Sequence, residues 1–276
     1  MSYADEIFIN NVNDILTNGY SDIDDDVRPR WSDKTAAHTY KKFGIVNRYR
    51  PAEEFPILTL RRTYFITALK EIFWIWQKKS NNINDLDAHI WDEWADENGS
   101  IGKAYGYQLS LKHTYPEGEF DQVDRVLYDL KHNPGSRRII TNIYNHADLN
   151  EMRLYPCAYS MTFNVSGDTL NAVLNQRSQD FLAANNFNVV QYSALLMIIA
   201  QVSGLKCGEL LHVIADAHIY DRHIPLIKEI IKKPPKPAPK LEIDPTVSDF
   251  YDFTPAHFKL TGYNPDETKY NIEIAV

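Results

Sequence analysis

Cys157 is one of two cysteines in the chain, and it stands in the stretch from Arg153 to Asn188, RLYPCAYSMTFNVSGDTLNAVLNQRSQDFLAANNFN. From it, Tyr159, Met161, Phe163 and Val165 alternate with Ala158, Ser160, Thr162 and Asn164, the period of two that marks a strand. Ser166-Gly167-Asp168 predicts a turn, and Thr169 to Arg177 a returning strand. With a three-residue loop centred on Gly167, Cys157 and Arg177 are equidistant from the glycine and become cross-strand partners. A guanidinium beside a thiol favours the thiolate and lowers its pKa, which is how a cysteine becomes a nucleophile. A lone cysteine is also often just a small buried hydrophobe, and the hairpin alone leaves both readings open.

Other chemistry-bearing residues lie scattered along the chain. Glu71 sits among apolar residues with Thr67 and Ile75 four positions away on either side, so it has no ordinary surface partner. A carboxyl in such a setting has a raised pKa suited to moving protons, or it merely edges the stripe. Trp91, Trp94 and Tyr105 stand among acidic residues in IWDEWADENGSIGKAYG, which predicts a stacking platform for a flat ligand. Arg28 and Arg30 fall in an exposed loop, and Arg137 and Arg138 begin a predicted strand on opposite faces. Each pair can meet an anion or simply be solvated. In HVIADAHIYDRH, a strand puts His212, Ile214, Asp216, His218 and Tyr220 on one face. That row suits a polar ligand, an internal hydrogen-bond network, or a zinc site from His212, His218 and His223, the last without supporting motif spacing.

The elements that must position these groups follow from periodicity. Ile7 to Leu16 predicts a helix ended by a glycine cap at Gly19. Phe43 to Tyr49 and Phe55 to Leu60 predict strands, and Thr63 to Gln77 a helix with a wide apolar stripe. Val123 to Leu130 predicts another helix, stopped by Asn133-Pro134-Gly135, and Phe187 to Ser203 a buried one closed by Gly204. KKPPKPAPK is extended and crosses the surface, and the apolar tail NIEIAV docks. Strands and helices mix without strict βαβ alternation, so the fold class is α+β with a mixed sheet. The 276 residues, 44% hydrophobic, suffice for one large core, and residues 1–276 are expected to form a single domain. A net charge of −8 argues against nucleic acid as an obligatory partner, so any anion needs a local arginine cluster. There is no signal peptide, no membrane span and no disulfide framework, which leaves the cytoplasm as the expected compartment.

Taken together, YPCA at Cys157, QRSQD at Gln176 to Asp180, FN at Phe187-Asn188, DAHIY at Asp216 to Tyr220, SRRII at Ser136 to Ile140 and WDEWADENG at Trp91 to Gly99 resemble the thymidylate synthase family. These are folate-dependent enzymes that methylate dUMP to dTMP, and the resemblance covers nearly the whole chain. It implies a large mixed sheet flanked by helices and a homodimer formed through that sheet. Cys157 would attack C6 of the uracil, with Glu71 as proton relay and Tyr105 helping to remove the C5 proton. Asn188 would bond the pyrimidine at N3 and O4. Arg177, Gln176 and Ser178 would join Arg30, or alternatively Arg28, at the nucleotide, with Arg137 and Arg138 reaching the other subunit's phosphate. His218 and Tyr220 would hold the ribose hydroxyl. The cosubstrate implied is 5,10-methylenetetrahydrofolate, met by Trp91, Asp180 and the carboxylate of Val276, with no metal.

The chain departs from the family pattern in three places. Ala158 follows the nucleophile where histidine is frequent, AANNFN replaces LGxPFN beside the folate, and Arg61-Arg62 replaces Lys-Arg. The rival readings are a dUMP hydroxymethylase of the same fold and a non-catalytic nucleotide- or RNA-binding relative. Asn188 speaks against a cytosine substrate, for which aspartate would be the better partner.

Overall fold

The computed structural model describes residues 2–275. Along the chain run α1 (Tyr3–Asn18), β1 (Tyr20–Ser21), β2 (Thr39–Tyr49), α2 (Phe65–Trp76) and α3 (Gly106–Ser110). A small hairpin of β3 (His113–Tyr115) and β4 (Gly118–Phe120) precedes α4 (Gln122–His132), which leads to β5 (Ile140–Asn142), β6 (Ala158–Ser166) and β7 (Thr169–Asp180). Then come α5 (Phe187–Val202), β8 (Lys206–Tyr220), α6 (Ile224–Ile230), β9 (Lys240–Ile243) and β10 (Phe258–Thr261). Six strands form one sheet in the order β1-β2-β8-β7-β6-β5. Its neighbours are antiparallel except β7 and β8, which run parallel through the α5 crossover. The mixed α+β expectation therefore holds.

The crossover explains where chemistry can occur. β7 and β8 are parallel, so their C-terminal ends, Gln176–Asp180 and Asp216–Tyr220, lie side by side. β6 is antiparallel to β7, which brings its beginning, Cys157, to the same edge. The chain leaves β7 there and enters α5 at Phe187, with Asn188 in its first turn. That helix is apolar on every side, as a helix buried between the sheet and α2 must be. One face of the sheet packs on these helices, and a continuous apolar core joins them. The other face carries Val46, 58% exposed, and Ile140, 50% exposed, beside the half-buried Val173, Leu211 and Val213.

Several local expectations are corrected. The hairpin loop has two residues, Gly167-Asp168, because Ser166 pairs with Thr169. That shifts the register by one from the three-residue reading. A bulge at Tyr159 then shifts it back, so Ala158 opposes Gln176 and the Arg177 N–H donates to the Cys157 carbonyl at 2.9 Å. Cys157 does face Arg177, but the bulge puts it on the opposite side of the strand from Met161 and Phe163. Gly167 has φ +65°, the left-handed conformation a tight hairpin turn requires.

Phe55 to Leu60 is not a strand. Its backbone N–H groups are taken by other acceptors: Phe55 donates to the Pro239 carbonyl, Leu58 to Asn186 Oδ1 and Thr59 to Asp5 Oδ1. Its apolar side chains are nonetheless fully buried. Gly19 does end α1, yet its backbone is extended. Glycine is needed because a Cβ would collide with the Ile15 carbonyl oxygen. Arg137 and Arg138 precede β5 instead of lying within it, and both are exposed. KKPPKPAPK does cross the surface, fastening α1 and the 55–60 segment through Ser2 N–H to the Lys236 carbonyl and Lys236 N–H to Thr59. The described part of the tail docks through Glu273. Glu273 accepts from Ser32 and Arg222, while its carbonyl meets His223 Nε2 at 2.8 Å.

Candidate active site

At the sheet edge, Arg177 is held by carbonyls before it meets the thiol. Its Nε donates to the Pro156 carbonyl at 3.0 Å and Nη2 to the Tyr155 carbonyl at 2.8 Å, which leaves Nη2 3.6 Å from Cys157 Sγ. The expectation of a lowered thiol pKa is corrected. Burial pushes the Cys157 thiol up, Arg177 pulls it back, and burial wins. The guanidinium thus limits the cost of a buried thiolate without removing it. Tyr105 approaches from the other side, its hydroxyl accepting the Cys157 N–H at 3.3 Å. Tyr105 has φ +48°, a strained conformation for a bulky side chain, just where it enters α3. Burial raises its phenol well above the usual range, so it is a neutral hydroxyl at physiological pH.

Glu71 lies in the middle of α2 and is only 7% exposed. Burial lifts its pKa from 4.5 to about 7, against hydrogen bonds from Trp91 and Gln191 that lower it. Trp91 Nε1 donates to Oε1 at 2.8 Å. The open-platform reading of Trp91 is therefore corrected: the indole is buried, edge-on to Tyr105 at 5.0 Å and beside Trp74 and Trp94, and it aims the carboxyl. Trp94 remains partly exposed. The buried aromatics account for the acidic surroundings, since Asp92 and Glu93 face solvent while the indole between them and Ile90 turns inward.

From Glu71 an amide chain runs across the site. Asn188 Nδ2 donates to Gln191 Oε1 at 3.2 Å, and Asn188 Oδ1 accepts from Gln176 Nε2 at 3.2 Å. Gln176 Nε2 also donates to the Ser178 carbonyl at 3.0 Å, and its Oε1 meets His212 Nε2 at 2.8 Å. Gln191 escaped notice in the sequence because it stands in an otherwise apolar helix. An isolated glutamine in such a run was the available signal.

His218 pairs with Asp216 through Nδ1 at 2.7 Å and lies edge-on to Tyr220 at 5.1 Å. Burial lifts the Tyr220 phenol to about 12, where it also senses Asp180, Cys157 and, in the lowering direction, Arg28. Asp180 accepts the Leu182 and Ala183 N–H groups at 2.7 and 3.0 Å through Oδ1, and Oδ2 sits 3.7 Å from His223 Nδ1. Burial works to raise the Asp180 pKa, but His223, His218 and the N–H groups outweigh it, and the carboxylate is held below its ordinary value. Arg61, half-buried, donates to the Leu182 and Asn185 carbonyls and so pins the AANN loop that follows. His212, His218 and His223 do not converge, and among the described residues no group of His, Cys, Asp or Glu could hold a metal.

Not every expected residue is drawn in. Arg30 is turned onto its own loop, bonded to the Val27 and Pro29 carbonyls and 3.8 Å from Asp26. Arg28, the alternative, is the one whose charge reaches Tyr220. Arg137 and Arg138 form no ion pair among the described residues. Val276 lies outside the described residues.

A family model described as thymidylate synthase matches residues 6–276. Thymidylate synthase 1 of Bacillus subtilis strain 168 is 44% identical to this chain, and the thymidylate synthase of Bacillus phage phi3T 43%, each covering the whole of both sequences. A solved structure, thermostable thymidylate synthase A from Bacillus subtilis, superposes with a TM-score of 0.93 at 43% identity over 99% of both chains.

Proposed function

We propose, for a chain that belongs to the thymidylate synthase family and methylates dUMP to dTMP, that the reaction runs on Cys157, Arg177, Tyr105, Glu71 and Asn188 within a single catalytic domain of residues 1–276. The observation that carries this is the Cys157–Arg177 pair at 3.6 Å, flanked by the Tyr105 hydroxyl. Cys157 Sγ adds to C6 of the uracil, which makes C5 nucleophilic. The carbonyl-held Arg177 steadies the thiolate and meets the substrate phosphate, so that nucleotide binding and thiol activation share one side chain. Asn188 presents a carboxamide to the N3–H and O4 edge. Glu71, with a pKa near neutrality, can give and take protons at O4 and C5, and Tyr105, as a neutral hydroxyl, helps the C5 proton leave by hydrogen-bonding to the group that takes it. Gln176 and Ser178 line the nucleotide, and His218 and Tyr220 hold the ribose hydroxyl. The folate, bound as 5,10-methylenetetrahydrofolate, supplies the one-carbon unit and the hydride. Asp180 suits its pterin, because it is ionised and one oxygen has only the distant His223 as partner. Trp91 borders that space through its packing on Tyr105.

A dihydrofolate absorbance assay tests this reading. Signal that depends on dUMP is expected; 5-hydroxymethyl-dUMP with tetrahydrofolate as products would overturn it.

The uncovered sheet face, with Val46 and Ile140 exposed, supports a homodimer through the sheet. The exposed Arg137 and Arg138, beside the edge strand β5, then reach the partner's phosphate. A monomer in sedimentation equilibrium would overturn this. Among the described residues no helix is long and apolar enough to cross a membrane, which supports a cytoplasmic place.

For the phosphate arginine on the chain's own N-terminal loop, the reading moves from Arg30 to Arg28. Arg28→Ala is expected to raise KM for dUMP about tenfold or more, whereas Arg30→Ala changes it less than about threefold. The opposite order in steady-state kinetics would restore Arg30.

A further inference from the structure

The amide chain has a direction that can be deduced group by group. The Ser178 carbonyl can only accept, so the group of Gln176 facing it at 3.0 Å is the NH2. Gln176 Oε1 therefore faces His212 Nε2 at 2.8 Å, and His212 must carry its proton on Nε2. His212 is fully buried, neutral with its pKa pushed down to about 3, and its Nδ1 has no partner among the described residues. At the other end, Gln191 Nε2 points at the Ala68 carbonyl at 3.5 Å, another group that only accepts, and the same side chain favours the ionised form of Glu71. Gln191 Oε1 is left to take the Asn188 NH2 at 3.2 Å, while Asn188 Oδ1 takes the Gln176 NH2.

Asn188 is thus held from both sides in one rotamer of its carboxamide. Its second N–H and second lone pair remain for a ligand, a donor next to an acceptor. Uracil offers the complement at O4 and N3–H; cytosine offers the reverse at N4 and N3. Ala158, the residue opposite Gln176 on β6, contributes only a methyl group, so orientation has to come from elsewhere.

We propose that His212 and Gln191 are positioning residues that lock the Asn188 carboxamide and thereby set the preference for uracil over cytosine, an inference that rests on Asn188 reading the pyrimidine edge. His212 donates to Gln176 and Gln191 accepts from Asn188; removing either frees one end of the chain.

The test is the ratio of dissociation constants for dCMP and dUMP, measured by calorimetry on the whole protein. Gln191→Met keeps the volume and removes the acceptor, and His212→Leu removes the donor. Each is expected to reduce the ratio about tenfold or more, mainly by weakening dUMP. His212→Gln, whose Nε2 can replace the lost donor, is expected to stay within about threefold of the parent. Ratios unchanged in Gln191→Met and His212→Leu overturn the proposal, and so does a loss that His212→Gln fails to rescue. If His212→Leu does not fold, Gln191→Met decides the matter alone. Asn188→Asp separates the two levels. If it fails to improve dCMP binding, the reading of Asn188 itself falls; if it does so while Gln191→Met leaves the ratio intact, only the positioning role falls.

Discussion

Cys157→Ala is expected to lower kcat for dTMP formation by about 10⁴-fold or more, because the covalent step loses its nucleophile and the neutral Tyr105 phenol is a poor substitute for a thiolate. The variant isolates the chemistry unusually well. Arg177 is anchored to the Tyr155 and Pro156 carbonyls, and Tyr105 meets the backbone N–H of residue 157, so both stay in place without the sulfur. The Kd for dUMP is therefore expected to remain within about tenfold of the parent by calorimetry. Undiminished turnover would remove Cys157 as the nucleophile. Lost turnover with lost dUMP binding would mean the thiol also organises the nucleotide site.

The second large effect concerns Glu71 and has opposite signs in activity and stability. Glu71→Gln removes the relay and is expected to lower kcat by about 10²- to 10⁴-fold. Its effect on stability follows from the raised pKa. Between 4.5 and about 7 the folded protein holds a proton that the unfolded chain has already released, so wild-type stability falls as pH rises across that window. Above it the loss is complete and amounts to about 3 kcal/mol. Glutamine carries no charge to bury. Denaturant unfolding should show Glu71→Gln more stable than the parent at pH 8 by up to about 3 kcal/mol, with the difference shrinking towards zero at pH 4.5. Equal stability at both values would mean that Glu71 is not forced to ionise in an apolar setting. Trp91→Phe should push the pKa of the carboxyl higher still, since losing the indole N–H removes a bond that favours the charged form. The acid limb of its kcat profile is expected to move to higher pH.

These two residues illustrate how differently the site could be read in advance. Cys157 and Arg177 were legible as a pair because a hairpin converts sequence spacing into contact. The pairing nonetheless arose from two departures that cancel, a loop one residue shorter and a bulge one residue longer. Bulges have no reliable sequence signature, since they answer to what packs above and below the strand. Glu71 was legible as an unpaired carboxyl in an apolar helix, but its partner Trp91 was not. Trp91 lies twenty positions on, in a segment whose acidic residues suggested solvent, and only the packing of α2 against that segment turns the indole inward. The same cause explains Phe55 to Leu60. Its apolar character predicted burial correctly, while its hydrogen-bond partners, Asp5 and Asn186, come from distant parts of the chain.

Local physics in this chain is strongly determined by residue type. Periodicity places the long helices and the hairpin, an apolar run marks α5 as buried, and the motifs around Cys157, Gln176 and Asp216 carry the family resemblance. What only the tertiary structure decided is polarity and protonation: that burial outweighs Arg177 at the thiol, that Arg30 turns onto its own loop while Arg28 is felt at Tyr220, and that Asn188 is hydrogen-bonded to Gln176 on one side and Gln191 on the other. The reason is that a pKa or an amide orientation depends on every group within a few ångströms, whatever its distance in sequence. Those groups are assembled only when the β7–α5–β8 crossover closes over the edge of the sheet.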